Sequence, residues 1–492
     1  MPDKQVLFVN VLLFGFYFPL LTSIALLIVY KTKLLYSYLK YKHKFPVPDK
    51  NFDELPLVTI QLPLYNEDSV VERLIASAIA IDYPKNKLEI QVLDDSTDPE
   101  AVTLSQRVVD RYRAEGYNIY LRHRTHRKDF KAGALAEGLE VSKGEYVAVF
   151  DSDFVIPANF LKDTVNFFTH PGVGMVQCRW GFINEKDSLL TRLQTTYLNG
   201  HFIIEHTARN RSGHFFNFNG TAGIWRKEAI LSSGGWHGDT LTEDLDLSYR
   251  AQLKGWKFIY LKDLVAPSEL PPTLDAFNGQ QFRWVKGMVQ VLFKMFPVIW
   301  RSKVSMPTKL DATCHLFSSA GYVFSVIISL ITLPILIFCK EYIDIHFMWL
   351  AILFVFVNCF MIWLFYFIAE YEARGLKPAT VLYPFLLLLF SIGFSLNGVY
   401  AIKEAILKKK SPFIRTPKFN QQFTGKIKSE NNASPVYKAT VLVAVYYLGL
   451  IAYIVATQKF VLVPAVMFFA PGYFWLIWIR FREKALFRSV SK

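Results

Sequence analysis

Cysteine is scarce in this chain, and its few positions carry no metal-binding pattern. The four cysteines among 492 residues are Cys178, Cys314, Cys339 and Cys359. Three of them lie in apolar runs and none has zinc-site spacing, so neither a disulfide framework nor a structural zinc site is expected. A Walker-type Gly-rich loop is also absent, which disfavours an NTPase. The sequence contains no zinc finger, RNP motif or helix-turn-helix, so we expect no nucleic-acid partner.

Positive charge and apolar residues are both in excess. The chain carries 55 Lys and Arg against 41 Asp and Glu, a formal net charge of +14. Hydrophobic residues make up 52% of the chain, and the mean hydropathy is +0.23. A length of 492 residues predicts at least two structural units. These values predict a multi-pass integral membrane protein that contacts membrane lipids and concentrates Lys and Arg in its cytoplasmic loops.

The first apolar run has the features of a membrane span and not those of a cleaved signal. Residues 6–30 are apolar and are followed by Lys31, Lys33, Lys40, Lys42 and Lys44. A secretory signal has a shorter apolar core with basic residues before it. Positive charge after the span predicts that the N-terminus lies outside and that the next segment, the catalytic one, is cytoplasmic.

Residues 56–275 have the pattern of a soluble α/β domain. Apolar runs typical of strands (57–63, 88–93, 118–122 and 146–150) alternate with helical patterns (70–80, 101–115 and 132–141). Such alternation predicts a parallel sheet. Ligands of such sheets bind at the carboxyl ends of the strands.

Two acidic groups directly follow predicted strands. Asp94-Asp95 comes after the second strand, and Asp151-Ser152-Asp153 comes after the fourth. Either group alone is more typical of a solvated turn or a helix cap, but the strand-end position of both favours a site. Carboxylates bind Mg²⁺ and Mn²⁺, and Mg²⁺ usually bridges to substrate phosphates. The pattern therefore fits a nucleoside diphosphate held through Mg²⁺ or Mn²⁺.

Two further motifs lie downstream, Thr242-Glu243-Asp244 and Gln280-Gln281-Phe282-Arg283-Trp284. The four motifs in this order resemble the inverting, membrane-bound family 2 glycosyltransferases of the cellulose-synthase superfamily. The first and last motifs are most similar to the cellulose-synthase-like A group, the β-mannan and glucomannan synthases, and to their bacterial relatives. The resemblance covers roughly residues 56–419. It implies an α/β fold in which a GT-A (nucleotide-diphospho-sugar transferase) domain is inserted between transmembrane helices.

The resemblance also implies a role for each motif. Residues that bind the nucleotide-sugar donor, a UDP- or GDP-hexose, are Asp94, Asp95, Lys131 and Asp151. The metal ligands are Asp151 and Asp153, and the general base that deprotonates the acceptor hydroxyl is Asp244. Residues implied at the acceptor and the diphosphate are Glu243, Gln280, Arg283 and Trp284. The turn Phe218-Asn219-Gly220-Thr221 resembles one beside the acceptor channel, although a plain turn explains it equally well.

Some of these residues also have a structural explanation. Glu243 and Asp246 can stabilise the N-terminus of a helix opened by Thr242, and Trp284 can anchor at a membrane interface. We expect this explanation to hold for Asp246 and not for Asp244.

Displacement at an anomeric carbon needs one base for the nucleophile and a cation for the leaving diphosphate.

The C-terminal part predicts several membrane helices. Residues 312–339, 346–369, 439–458 and 461–479 are long and apolar enough to cross. Residues 381–401 are also long enough, but a span there would place the lysines at 408–410 and the basic C-terminal tail outside. We therefore predict five spans with 381–401 lying in the membrane plane, and six spans as the alternative. Residues 189–206 and 287–303 are predicted as further in-plane helices, with helices packed on the domain as the alternative; we favour the membrane for 287–303.

These predictions divide the chain into four units. They are an N-terminal helix with a basic linker (1–50), the GT-A domain (51–277), an interface helix with the Gln-x-x-Arg-Trp motif (278–310) and a membrane region (311–492). The last unit contains an interface helix and a gating-like loop at about 379–420. The resemblance implies gating residues at Phe413, Arg415, Thr416 and Lys418.

Two functions remain open at this point. The first is an inverting hexosyltransferase that extends a β-linked glucan, mannan or glucomannan and extrudes it across the membrane. The second is a non-processive transferase that forms a glycolipid, similar to ceramide glucosyltransferases. The acceptor is accordingly a glycan or a lipid. The expected location is the cell inner membrane, or the Golgi if the source is eukaryotic.

Overall fold

The structure, a computed structural model, describes residues 13–338, 345–409 and 434–490. A π-helical turn at Leu13–Tyr17 leads into the long helix α1 (Phe18–Tyr41). An α/β domain follows, with strands β1 (Val58–Leu64), β2 (Leu88–Asp94), β3 (Ile119–His123), β4 (Tyr146–Val149), β5 (Val173–Phe182), β6 (Gly223–Arg226) and β7 (Lys257–Ser268). Its helices are α2 (Val71–Ile79), α3 (Pro99–Ala114), α4 (Phe130–Val141), α5 (Phe160–Thr164), α6 (Leu189–Asn199), α7 (His206–Arg211), α8 (Lys227–Ser232) and α9 (Glu243–Leu253).

The strands form one mixed sheet in the order β3-β2-β1-β4-β6-β5-β7. β3, β2, β1 and β4 run parallel, which confirms the four predicted strands and their direction. β6 is antiparallel to both of its neighbours, so the prediction of an all-parallel sheet is wrong in this half. The chain enters β6 through a turn in which Gly220 and Ala222 have φ angles of +81° and +56°, and this left-handed turn sends it back along β4.

The direction of β6 brings the loop at residues 218–222 to the carboxyl end of β4. Gly223 pairs with Val149 in the sheet. Just beyond, the backbone N–H of Asp151 donates to Thr221 Oγ1 at 2.8 Å. The strand end with its acidic residues and this loop therefore form one wall. The strands behind them are buried on both faces by apolar side chains, as expected for a sheet covered by helices on both sides.

A series of long helices follows β7. They are α10 (Leu274–Arg301), α11 (Met306–Phe317), α12 (Ala320–Phe338), α13 (Ile345–Arg374), α14 (Pro378–Ile406), α15 (Pro435–Thr457) and α16 (Val463–Val490). Among the described residues, six helical segments are long and apolar enough to cross a membrane, namely Gly15–Tyr41, Ala320–Ile337, Leu353–Arg374, Pro378–Ile406, Pro435–Thr457 and Phe460–Ala485. The span predicted at 312–339 begins later than expected because α11 ends at Phe317 and a new helix starts at Ala320.

The two predicted in-plane helices differ in what they contact. α10 exposes the aromatic side chains of Phe293, Phe296 and Trp300, as a helix at an interface does. In contrast, Leu190 and Leu193 of α6 are buried against the apolar side chains of α10, α14 and α16. For residues 189–206 the structure therefore supports the alternative of a packed helix, because other helices cover its apolar face. The predicted domain boundary at 277/278 falls inside α10, which begins at Leu274.

Helix α14 lies against elements of the domain along much of its length. Near its start, Tyr383 lies under the guanidinium of Arg192, 6.0 Å from its ring centroid. Further along, the side chain of Asn397 donates to the carbonyl of Asn278 at 3.0 Å. Close to its end, Glu404 pairs with Lys286 at 3.0 Å. The start of α14 therefore lies beside α6, and its second half lies beside α10.

Candidate active site

An open cleft lies along the carboxyl edge of the sheet. Its volume is about 1610 Å³ including the mouth. Its walls come from the ends of β1, β2 and β4, the loop before β6, the N-terminus of α9 and one face of α10. It brings together nine of the predicted site residues: Asp95, Lys131, Asp151, Asp153, Glu243, Asp244, Gln280, Arg283 and Trp284.

Asp95 reaches the cleft, whereas Asp94 lies beneath it. Both carboxylate oxygens of Asp95 accept hydrogen bonds from Arg124, each at 2.6 Å. Arg124 also donates to the carbonyl of Phe130 at 2.9 Å, which ties the end of β2 to the start of α4. Asp94 is fully buried, and its Oδ1 accepts the backbone N–H of Ser96 at 2.8 Å. The structure thus separates two neighbouring acids that the sequence placed in one role.

Lys131 joins two strand ends at the centre of the cleft. Its ammonium donates to Asp151 Oδ1 at 2.5 Å and to the carbonyl of Gly220 at 2.8 Å. Burial alone would lower the pKa of Lys131, but the carboxylates of Asp151 and Glu243 outweigh burial and raise that pKa. Lys131 is therefore charged at neutral pH. Asp153 lines the same wall two residues further along the chain.

Glu243 and Asp244 open α9 beside Lys131. A β-carbon placed on Gly220 would lie 3.1 Å from Asp244 Oδ2 and 3.4 Å from Lys131 Nζ, so Gly220 leaves room for both side chains. Burial and the neighbouring Glu243 carboxyl raise the pKa of Asp244 to about 7, although Lys131 opposes them. Burial also raises the pKa of Glu243. A carboxylate with a pKa near neutrality is well matched to general-base work at neutral pH.

One face of α10 completes the cleft. Gln280, Arg283 and Trp284 are three and four residues apart, so they share one side of the helix. Burial lowers the pKa of the Arg283 guanidinium to about 10, which leaves it charged at neutral pH. Trp284 meets Trp180 edge to face, with ring centroids 6.3 Å apart. Trp284 therefore forms part of the cleft wall and is not an isolated surface anchor.

Residues 56–287 match the family model described as "Glycosyltransferase like family 2". Residues 56–287, slightly less than half of the chain, are therefore similar to a family 2 glycosyltransferase domain. Glucomannan 4-beta-mannosyltransferase 7 of Arabidopsis thaliana is 46% identical to it over 252 residues, which cover 50% of this chain and 45% of that protein. Glucomannan 4-beta-mannosyltransferase 2 of the same plant is 40% identical over 316 residues, which cover 61% and 59%. The chain thus spans about half the length of the curated relatives it matches.

A solved structure shows a similar fold. A mannosyltransferase from Pyrobaculum calidifontis, in complex with GDP-Man and Mn²⁺, is 20% identical, with a TM-score of 0.53. The match covers 79% of this chain and 100% of that chain. It confirms the predicted GT-A fold for the family 2 domain.

The cleft of the glycosyltransferase domain holds more carboxylates than cations. Among the residues that the structure describes, eight acidic side chains line it against three basic ones. Asp95 and Glu269 pair with arginines outside the cleft, but the remaining carboxylates still outnumber the cations. Like charges held close together in a poorly solvated space repel one another, so this space favours an added cation. Asp151 and Asp153 line it with carboxylate oxygens, the ligands that Mg²⁺ and Mn²⁺ prefer, and the residues present fit such an ion.

A second group of metal-type ligands lies between α9 and α10. His237, Asp239 and Asp246 each place one ligand atom within 4.8 Å of the others. However, Lys294 already pairs with Asp239 at 2.8 Å and with Asp246 at 3.0 Å. Arg250 binds Asp246 from the other side at 2.8 Å. A divalent ion would have to displace both cations, so we assign this group as an ion-pair network that fixes α9 to α10.

The sequence did not single out two cleft residues, Tyr65 and Arg127. The guanidinium of Arg127 lies over the Tyr65 ring, 3.4 Å from its centroid. Tyr65 directly follows β1, so the strand-end rule that predicted the acids would have found it had it been applied to all residue types. Arg127 carries no such signal because it lies in a loop. The predicted gating residues Phe413, Arg415, Thr416 and Lys418 lie outside the described residues.

Replacing Arg124 by Met should destabilise the glycosyltransferase domain by about 3–5 kcal/mol, because Asp95 would remain as a buried charge without a partner. Thermal unfolding of the purified protein in detergent would measure this loss. Arg113→Met is the matched control, since the Arg113–Asp110 pair is about half exposed on both sides and such pairs contribute roughly 0–1 kcal/mol. Equal unfolding midpoints for the two variants would contradict a structural role of the Asp95–Arg124 pair.

Proposed function

We propose that this chain is an inverting hexosyltransferase that adds sugar from a nucleotide-diphospho-sugar to a growing β-linked mannan or glucomannan. The observation that carries the proposal is the meeting of Asp244, Lys131, Asp151, Asp153 and the Gln-x-x-Arg-Trp face of α10 in one cleft. The names of the relatives at 40–46% identity support mannose as a transferred sugar. Extrusion of the product across the membrane belongs to the same proposal and is supported by the long apolar helices that flank the domain.

Each wall of the cleft supplies one part of the reaction. Asp244 accepts the proton of the acceptor hydroxyl as that oxygen attacks the anomeric carbon. Arg283 faces the leaving diphosphate with a fixed positive charge, which stabilises the negative charge that develops there. A divalent cation on Asp151 and Asp153 would supply further charge neutralisation when bound. Trp284 offers an aromatic face for stacking an acceptor sugar.

Product analysis tests the proposed function. Purified enzyme would be given labelled GDP-mannose, GDP-glucose or UDP-glucose in separate reactions with Mg²⁺ or Mn²⁺. A long β-linked polymer should form from the donor that the enzyme uses. We expect the mannosyl donor to be used, and excess chelator to stop the reaction. A product consisting of one sugar on a lipid would favour a glycolipid-forming transferase instead. Full activity in excess chelator would contradict the assignment of Asp151 and Asp153 as metal ligands.

The rate of transfer should fall as the pH drops below about 7, the raised pKa of Asp244, because only the ionised carboxylate can accept a proton. Asp244→Asn should lower transfer by roughly 10²–10⁴-fold and leave nucleotide affinity unchanged, whereas Asp153→Asn should weaken metal-dependent nucleotide binding. Transfer rates across pH and nucleotide titrations of both variants would check this. If the Asp244→Asn variant transferred sugar at the wild-type rate, Asp244 would not be the general base.

We also propose five membrane spans, with α14 in the membrane plane and the catalytic domain in the cytoplasm. The contacts of α14 with Arg192, Asn278 and Lys286 support this arrangement, because a spanning helix would carry one end away from the domain. Contacts of α15 and α16 support the same topology. Arg480 near the end of α16 pairs with Asp275 at 3.2 Å and stacks on Tyr437 near the start of α15. Both of those helix ends therefore lie beside α10.

Cysteine labelling can distinguish the two topologies, because they place the same two positions on opposite sides. With five spans, Lys409→Cys should be cytoplasmic and Thr457→Cys should be outside; with six spans the two are reversed. Each variant would be made without the four native cysteines and probed in intact cells with a reagent that does not cross membranes. Labelling of position 409 from outside, with protection of position 457, would contradict the five-span topology.

A further inference from the structure

Two histidines meet behind the cleft because the helix that carries them contains a π turn. Gly200–Glu205 is π-helical, and the backbone N–H of His206 donates to the carbonyl of His201. In a regular α-helix, residues five apart point about 140° away from each other around the axis. The i→i+5 bond instead places the two side chains on the same side, and their ring centroids lie 4.3 Å apart.

His201 is oriented by a buried acid. Its Nδ1 lies 3.2 Å from Glu205 Oε2. Burial alone would raise the pKa of Glu205, but Lys31, His201 and Arg209 lower it well below its usual value, so this carboxylate is ionised. The Nδ1 atom of His201 therefore donates a hydrogen to Glu205. With the hydrogen on Nδ1, Nε2 is the acceptor nitrogen of this tautomer.

The two histidines together hold the side-chain amide of Asn219. The Nδ2 atom of Asn219 donates to His201 Nε2 at 3.0 Å. On the other side, His206 Nε2 lies 2.6 Å from Asn219 Oδ1. Burial lowers the pKa of His206 well below its usual value, so the ring is neutral and donates its single hydrogen to the amide oxygen. The two orientations of the amide are therefore not equivalent. Only the one with Oδ1 towards His206 and Nδ2 towards His201 makes both hydrogen bonds.

One hydrogen of this amide remains for a ligand. An amide nitrogen carries two hydrogens, and His201 takes one of them. Asn219 lines the cleft, and the next residue, Gly220, lies so close to Asp244 that an added β-carbon would be 3.1 Å from its Oδ2. A pyranose carries hydroxyls on neighbouring carbons. Asn219 and Asp244 line the same cleft, so two adjacent hydroxyls of one sugar ring are suited to contact both.

We propose that His201 and His206 are positioning residues for the glycosyl acceptor, which lock the amide of Asn219 so that its remaining hydrogen binds an acceptor hydroxyl beside Asp244. The proposal rests on the proposed function, in which Asp244 deprotonates that acceptor. Glu205 also pairs with Lys31 of α1. This hydrogen-bond network therefore connects the α/β domain to α1.

Paired substitutions at His206 and His201 test the lock. His206→Leu removes the donor to Asn219, whereas His206→Gln keeps an N–H near the position of Nε2. His201→Leu and His201→Gln form the same contrast for the acceptor. Each Leu variant should lower kcat/KM for a β-1,4-linked manno-oligosaccharide about 10- to 100-fold, mainly through KM, because a misplaced contact group costs up to about that factor. The Gln variants should stay near wild type.

Four measurements separate positioning from a general loss of structure. Affinity for GDP and UDP should be unchanged in every variant, and His170→Leu, a histidine outside this network, should leave all parameters unchanged. Asn219→Leu should reproduce the acceptor defect. The double variant Asn219→Leu/His206→Leu should be no worse than Asn219→Leu alone, because residues that act through one another are not additive.

The outcomes are distinguishable from failure of the proposed function. If the wild-type enzyme transfers sugar to no glycan acceptor, the proposed function fails and the positioning role falls with it. If the wild type transfers sugar but the Leu variants keep its acceptor kinetics, the positioning role alone is overturned. It is also overturned if nucleotide affinity falls together with acceptor kinetics without rescue by Gln, or if the double variant shows additive losses.

Discussion

The ammonium of Lys131 is the contact on which the geometry of the cleft depends. Through Asp151 and the carbonyl of Gly220, it joins α4 to the end of β4 and to the loop before β6. Without a cation there, Asp151, Glu243 and Asp244 would face one another in a poorly solvated space, where like charges repel strongly. One lysine holds these elements together yet does not neutralise all the acids. In the proposed function, the remaining negative charge attracts the divalent cation that neutralises the diphosphate.

Helix α10 connects this cleft with the membrane region through two adjacent residues. A β-carbon on Gly287 would lie 2.5 Å from Cγ2 of Thr242, so the backbone of α10 touches the residue that precedes Glu243 and Asp244. Lys286, nearly fully buried, pairs with Glu404 of α14. The same turn of α10 therefore contacts the helix that carries the proposed base and a helix of the membrane region.

The elements that depend on local pattern were predictable from the sequence. β1 to β4 were predicted within one or two residues because buried parallel strands are short, continuous apolar runs. Asp151 and Asp153 were expected at the cleft because they directly follow such a strand, and the structure brings them there. The same rule overreached at Asp94, since only one of two adjacent side chains at a strand end can turn towards the ligand.

The features that were not predicted depend on contacts between distant parts of the chain. β6 has four residues, and its direction follows from the left-handed turn at residues 218–222, which is stabilised by Lys131 and by the Thr221–Asp151 hydrogen bond. The π turn at Gly200–Glu205 adds one residue to a helical turn, a change too small to disturb an amphipathic pattern. It fits because Gly200 lies against Tyr366 of α13, where a β-carbon would be 2.6 Å from the ring. Both features lack a periodic signal, yet together they decide that His201 and His206 meet Asn219 at the wall of the cleft.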